Sequence, residues 1–235
     1  MTSSVFNHRY DRNRDTLSLE NQDTLAAATV AILGLGGLGC GVCEMLARTG
    51  VGHLVLVDKD RFESSNLNRQ LFCQEHLVGH PKALAAQSRV QAINSRIKVT
   101  AKVEILDESN LYERIKDADV VMDCLDSISL RFKVQDAARV AGVPIVSGAI
   151  AGVAGQVTTI FPQDRGYELI YGENGRDQSE GVETQTGNIS YCALMVAAMQ
   201  SSECIKILLN RGSLLRNQLW ITQLWTNSFE IMDLI

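Results

Sequence analysis

Thr29-Val30-Ala31-Ile32-Leu33 is a mostly apolar run that leads straight into Gly34-Leu35-Gly36-Gly37-Leu38-Gly39. Such a run closed by glycines reads as a buried strand entering a tight turn. The helix that follows is expected to extend to about Thr49, with Gly50 near its C-terminal end. Val55-Leu56-Val57-Asp58 then reads as a second strand. Strand, glycine turn, helix and strand make a βαβ unit.

The alternation continues along the chain. Residues 81–94 are helical in character, 97–103 look like a strand, and Val120-Val121-Met122-Asp123 is another strand. A helix over 129–141 and a strand at Pro144-Ile145-Val146-Ser147 follow. The fold class this implies is α/β, with a doubly wound, Rossmann-like, mostly parallel sheet. After Gly152 the texture changes. Residues 155–161 read as a strand with no crossover helix before it, which suits antiparallel pairing. Residues 163–187 are polar and Gly-rich without periodicity, so they read as a mobile loop about 25 residues long. A long helix over 189–209 and two short strands at 219–222 and 229–232 finish the chain. Residues 1–26 are polar and charged, with Arg9 and Arg12 close together, and read as an arm that packs elsewhere or crosses to a partner. The whole of 1–235 is read as a single domain.

Composition excludes several function classes. Lys plus Arg total 22 against 27 Asp plus Glu, a net charge of -5. A mildly acidic chain is a poor general binder of nucleic acid or anionic membrane. No apolar run approaches the roughly 20 residues that span a bilayer, and the first residues lack the apolar core of a signal peptide. The expected compartment is the cytoplasm. The six cysteines, at 40, 43, 73, 124, 192 and 204, are not expected to form a disulfide framework there.

Gly34 to Gly39 satisfies G-x-G-x-x-G. Among Gly36, Gly37 and Gly39, one permits the turn, one lets a phosphate approach the backbone, and one lets the helix pack closely on the sheet. The helix N-terminus then offers unpaired N–H groups to an anion. Asp58 ends the second strand at the spacing that suits a carboxylate accepting hydrogen bonds from ribose hydroxyls. These features point to a nucleotide and do not separate NAD from ATP. The alternative is a glycine turn used only for packing.

The segment from Asp58 to Lys82 is dense in polar groups just after a strand's carboxyl end, the edge at which open α/β sheets bind ligands. Pro81 is well placed at a helix start. Lys82 in the first turn opposes the helix dipole, which is mildly unfavourable without an anion nearby. Arg69 and Lys82 together could bind a polyphosphate, the first as a planar fork and the second as a compact charge. Taken singly, each also reads as a solvated surface charge.

Arg9-Tyr10-Asp11-Arg12, the glycine turn with Cys40, Val57-Asp58-Lys59-Asp60, Ser65-Asn66-Leu67-Asn68-Arg69-Gln70, Gly79-His80-Pro81-Lys82, Asp123-Cys124-Leu125-Asp126 and Val146-Ser147-Gly148-Ala149 occur in this order. With that ordered set the chain resembles the ThiF/MoeB/HesA family, related to the adenylation domains of ubiquitin-activating enzymes. The match spans 9–160, and the long helix also fits. The resemblance implies binding of ATP and Mg2+, adenylation of the C-terminal glycine of a ubiquitin-like sulfur-carrier protein (ThiS/MoaD-like, ending in Gly-Gly), and release of pyrophosphate. It places Asp58 on the ribose and Gly37 against the phosphates. Asn66, Arg69 and Lys82 fall on the triphosphate, and Gly36, Gly39, Asp60, Gln70 and Leu125 elsewhere around the nucleotide. Asp126 would bind magnesium and orient the attacking carboxylate. Arg12 would act in trans across a homodimer. On this reading 27–150 is the nucleotide-binding half, and 151–235 is the carrier-binding half, its loop over 163–187 guiding the carrier's tail.

The chain departs from the family pattern in three ways. Many relatives hold a structural zinc with two Cys-x-x-Cys pairs. Here the only such pair is Cys40-Gly41-Val42-Cys43, in the glycine-loop helix, where it reads as packing; no zinc is expected. Residues 163–190 contain no cysteine for thioester or persulfide chemistry. Cys192 reads as core and Cys73 as a residue that could be exposed. Ser127 follows Asp126 where sulfur-carrier activators usually have Asn, and a Ser there also occurs in related tRNA-modifying dehydratases that activate a carboxylate on a nucleoside. Two further readings stand beside these: an NAD-dependent oxidoreductase, resting on the glycine turn and Asp58, and a non-catalytic nucleotide-binding scaffold.

Overall fold

The structure is a computed structural model. It describes residues 4–177 and 186–235. One eight-stranded sheet runs through the molecule in the order β3-β2-β1-β4-β5-β6-β7-β8. The strands are β1 (Thr29–Leu33), β2 (His53–Val57), β3 (Lys98–Lys102), β4 (Val120–Asp123), β5 (Ile145–Ala151), β6 (Ala154–Ile160), β7 (Gln218–Gln223) and β8 (Ser228–Asp233). The first five are parallel to one another, and β6, β7 and β8 each pair antiparallel with their neighbour. This is the doubly wound sheet with an antiparallel extension that the sequence implies.

The helices are α1 (Leu19–Ala27), α2 (Gly37–Thr49), α3 (Lys82–Ile93), α4 (Leu111–Ile115), α5 (Ile128–Ala141), α6 (Tyr167–Tyr171) and α7 (Ser190–Leu208). Strand periodicity sorts the core into two layers. Val30 and Ile32 of β1, with Val120 and Met122 of β4, face Leu38, Val42 and Leu46 of α2 and Val196 of α7. Ala31, Leu33 and Val121 face the other way, onto Leu111, Ile115, Phe132 and Tyr167. Alternate side chains of a strand point to opposite faces, so a central strand covered on both sides must be apolar throughout. Helix α2 stops at Gly50, whose φ of +96° is the left-handed cap anticipated for it.

Three helices were not anticipated. α1 lies inside the arm. Its start carries a capping box in which Ser18 accepts from the Asn21 N–H and Asn21 accepts from the Ser18 N–H. α4 is short and amphipathic. The stretch over 163–187, read as a loop, holds α6 and a 3-10 helix over Glu173–Asp177; residues 178–185 of it lie outside the described residues.

The arm packs on its own chain. Arg9 donates to the Ile93 carbonyl at 2.6 Å, and Asn94 Nδ2 donates to Tyr10 Oη at 3.0 Å. Gly50 sits so close to Tyr10 that a Cβ there would overlap the phenol hydroxyl. These contacts are at the C-terminal ends of α2 and α3, which is the edge of the sheet where the parallel strands begin.

Candidate functional site

At the opposite edge, where the parallel strands end, the glycine turn opens a cavity of about 1260 Å³. Gly34, with φ +86°, reverses the chain after β1. A Cβ there would lie 2.8 Å from the Cys124 carbonyl oxygen, so only glycine fits. Gly36 caps α2 with no side-chain hydrogen bond, leaving the first N–H groups of this 13-residue helix without a side-chain acceptor. Gly39 serves packing instead, since a Cβ there would overlap the Gly34 carbonyl oxygen. It lets the helix sit on the turn, and it does not line the cavity.

Asp58 follows β2. Its Oδ2 accepts from the Leu35 N–H at 2.6 Å and its Oδ1 from the Asp60 N–H at 2.7 Å. The carboxylate therefore locks the turn while keeping further lone pairs for a ligand. Burial raises its pKa, against the pull of those two N–H groups and of Lys82. Lys82, the first residue of α3, is buried, with its Nζ 3.5 Å from Asp60 Oδ2. Asn66 and Gln70 are buried. Arg69 Nη1 donates to the Ser65 carbonyl at 3.0 Å and to Asn68 Oδ1 at 2.8 Å. Gln70 carries a buried Oε1 with no protein partner, and its amide group approaches Gly36. An orphaned buried polar atom at the wall of an open cavity fits a site completed by a ligand. Asp126 stands exposed in the β4–α5 connection, next to Ser127, which caps α5 by accepting from the Leu130 N–H.

The site residues anticipated from the sequence converge on this cavity with two exceptions. Gly36, Gly37, Asp58, Asp60, Asn66, Arg69, Gln70, Lys82, Leu125 and Asp126 line it. Gly39 is the packing position described above. Arg12 is on the arm and does not line it.

Sequence reasoning missed the far end of the cavity, where Ala149 and Ala151 of β5, Ala154, Gly155 and Gln156 of β6, and Ile221 of β7 form a lane of mostly small side chains. Their smallness is visible in the sequence, but only the β5–β6–β7 pairing puts them together. It also missed a buried cluster of Asp123, Arg131, Ser147 and Tyr167 beneath the cavity floor. An aspartate closing an otherwise apolar strand was the available signal, since a buried carboxylate needs partners.

All six cysteines are free and buried. Cys73, read as a residue that could be exposed, is covered as well, and burial pushes its thiol up; burial pushes the Cys40 thiol up to about 12. No group of three or more His, Cys, Asp or Glu side chains able to hold a metal occurs among the described residues. No helix among them is long and apolar enough to cross a membrane.

The chain is 34% identical over 224 residues to the SAMP-activating enzyme E1 of Haloferax volcanii, covering 94% of this chain and 83% of that one. It is 33% identical to the molybdopterin-synthase adenylyltransferase of Escherichia coli, covering 92% and 87%. It is 34% identical to the sulfur carrier protein adenylyltransferase of Thermus thermophilus, covering 89% and 80%. In fold it superposes on E. coli MccB with a TM-score of 0.82 at 23% identity, over 99% of this chain and 71% of that one. The ThiF family profile matches residues 10–234, and the chain belongs to that family.

Proposed function

We propose that this protein is an ATP-dependent adenylyltransferase that activates the C-terminal glycine carboxylate of a ubiquitin-like sulfur-carrier protein and releases pyrophosphate. The observation that carries this reading is the continuity of one cavity from the glycine turn to the small-residue lane over β5 and β6. At about 1260 Å³ it exceeds the usual 300–1,000 Å³ ligand pocket, leaving room for a nucleotide and a second, slender substrate. A lane rich in alanine and glycine, with Ile150, Gln156 and Ile221 beside them, suits an extended tail ending in Gly-Gly.

In this scheme Asp58 accepts from the ribose, and the α2 N-terminus at Gly36 and Gly37 faces the phosphates. Asn66, Arg69 and Lys82 hold the triphosphate, and Asp60, Gln70 and Leu125 complete the nucleotide's surroundings. A terminal carboxylate oxygen of the carrier forms a bond to the α-phosphorus. The bond from that phosphorus to the bridging oxygen breaks, and pyrophosphate leaves with its electron pair. No proton has to move and no side-chain nucleophile is used. The chain brings two anions together through positioning and fixed positive charge. Magnesium supplies Lewis-acid polarisation of the phosphoryl group when bound. Asp126 would hold it, and because Mg2+ usually takes one or two carboxylates beside phosphates and water, one aspartate is an adequate protein share.

The division of labour follows the sheet: 27–150 serves the nucleotide and 151–235 the carrier. On β8, Met232, 49% exposed, pairs with Leu219 on the same sheet face as Ile221 of the lane, and with Trp225 in the turn before β8, 76% exposed, it forms the dock for the carrier's body. Arg12 sits on an arm anchored at the far edge of the sheet, so it serves a site across a homodimer. Exposed Leu67 and Leu71, with Tyr191 and Met195 one turn apart on α7, offer that partner an apolar face beside the cavity. Six unpaired thiols suit a cytoplasmic location.

Two observations weigh against an NAD-dependent oxidoreductase. None of the four histidines lines the cavity to act as a general acid, and Arg69 and Lys82 both do line it. Calorimetric titration of wild type and Asp58→Ala with ATP–magnesium and with NAD tests the choice. ATP binding lost in the variant, with NAD silent, is expected. NAD binding with ATP silent would overturn the reading.

A further inference from the structure

The reaction scheme leaves idle a polar cluster immediately beneath the cavity. Asp123, which ends β4, is fully buried. Its Oδ2 accepts from Ser147 Oγ at 2.7 Å and from Tyr167 Oη at 2.6 Å, and Arg131 Nη1 lies 3.5 Å away. Arg131, on α5, is 4% exposed yet lines the cavity. Its guanidinium donates to the Leu125 carbonyl, to the Gly148 carbonyl at 2.9 Å, to Ser147 Oγ at 3.2 Å and to Tyr171 Oη at 3.3 Å.

These partners come from three separate places. The Leu125 carbonyl belongs to the peptide plane that carries the nitrogen of Asp126, so fixing that oxygen fixes where Asp126 starts. Gly148 lies in β5, beside the lane. Tyr171 is on α6, one turn after Tyr167, and both tyrosines bond to the Arg131–Asp123 pair. One planar fork thus ties the Asp126 loop, the lane and α6 together. A buried ion pair gains little stability over apolar side chains of the same volume. What an apolar pair lacks is the ability to orient two carbonyls and two hydroxyls.

We propose that Arg131 is a positioning residue for adenylation: it sets the Asp126 loop and couples that loop to α6 through Tyr171. The proposal rests on Asp126 acting in the reaction. Its physical content, a mechanical coupling of 124–128 with 167–171, is measurable without the reaction.

Tyr171→Phe is the sparing test. It keeps the ring against Phe132 and Tyr167, at centroid distances of 6.4 and 6.0 Å, and deletes only the hydroxyl. Arg131→Lys keeps the charge opposite Asp123 and loses the fork. Both are expected to lower kcat for pyrophosphate–ATP exchange about five- to tenfold at an unchanged KM for ATP. In hydrogen–deuterium exchange of the free protein, both are expected to speed exchange at 124–128 and 167–171 together, with 34–39 unchanged. Wild-type exchange at 124–128 in Tyr171→Phe, or restoration of kcat by the lysine, would overturn the proposal. So would faster exchange spread evenly through the glycine turn, the mark of a merely structural role. Should wild type bind no ATP, the adenylation reading falls, and the hydrogen–deuterium experiment alone decides the coupling.

Discussion

In the parallel part of the sheet, β3-β2-β1-β4-β5, every strand ends at the same edge, and every link passes over a face. In the antiparallel part, β6-β7-β8, β6 turns straight back from β5 at Gly152, and β8 from β7. The two parts therefore offer different things to a ligand. Parallel strands collect loop ends, helix N-termini and cations at one edge, where Gly36, Asp58, Lys82 and Asp126 meet. The antiparallel strands put Ala154 and Gly155 beside the lane and leave Met232 exposed on the lane's face of the sheet. Backbone dipoles and fixed charge suit chemistry on phosphate, and apolar surface suits recognition of a protein. One sheet can thus divide turnover from partner choice. Mutations in the first part should act on kcat and those in the second on the carrier's KM.

The strongest effect belongs to the first part. Asp126→Ala and Lys82→Ala should each lower carrier-dependent pyrophosphate release about 10²- to 10³-fold, the range for losing one preorganised electrostatic contact, with circular dichroism unchanged. Wild-type turnover in either would undo the contrast where it is sharpest. Arg12→Ala should be similarly inactive alone. Mixed and re-equilibrated with Asp126→Ala, it should recover up to about a quarter of wild-type activity, because half the dimers then hold one intact site built from both chains. No recovery would mean that Arg12 does not act in trans. Met232→Lys, in the second part, should raise the carrier's KM about tenfold, in the range of a lost interface anchor, while leaving ATP binding alone. A fall in kcat instead would erase the division.

The weakest effect is a pH dependence at Asp58. Burial raises this carboxyl, so the folded protein takes up a proton while the same group in an unfolded chain is still ionised. As pH falls through that window, protonation favours the folded state and removes an acceptor from the ribose site. ATP affinity should fall as pH is lowered from about 7 towards the carboxylate range, and it should begin to fall at a higher pH than an unperturbed aspartate would cause. Asp58→Asn should flatten that slope, and titration calorimetry across that range reads it.

The parallel part was the more legible in the sequence, for a physical reason. Its central strands are buried on both faces, so they appear as apolar runs: β1 and β4 fall where Thr29–Leu33 and Val120–Asp123 predicted them. The glycine turn, Asp58 and the segment up to Lys82 are legible as motifs of fixed spacing, although the bond from the Leu35 N–H to Asp58 spans 23 residues. What escaped depends on distant pairing. Asp123 meets Ser147 and Tyr167 across 24 and 44 residues of chain. Arg131 looks like any cation on an amphipathic helix until α6 is packed against it. α6 itself lay hidden in a polar stretch because Tyr167 alone of its residues is fully buried. α1 was legible in principle, through Ser18 and Asn21, but the charge of the arm obscured it.

Carrier activation is best tested by ATP–pyrophosphate exchange with a ubiquitin-like sulfur carrier ending in Gly-Gly, set against the same carrier lacking its last glycine. Exchange is expected with the intact tail and none with the shortened one. Exchange that ignores the tail, or none with either while ATP binds, would contradict adenylation of a carrier's C-terminal glycine.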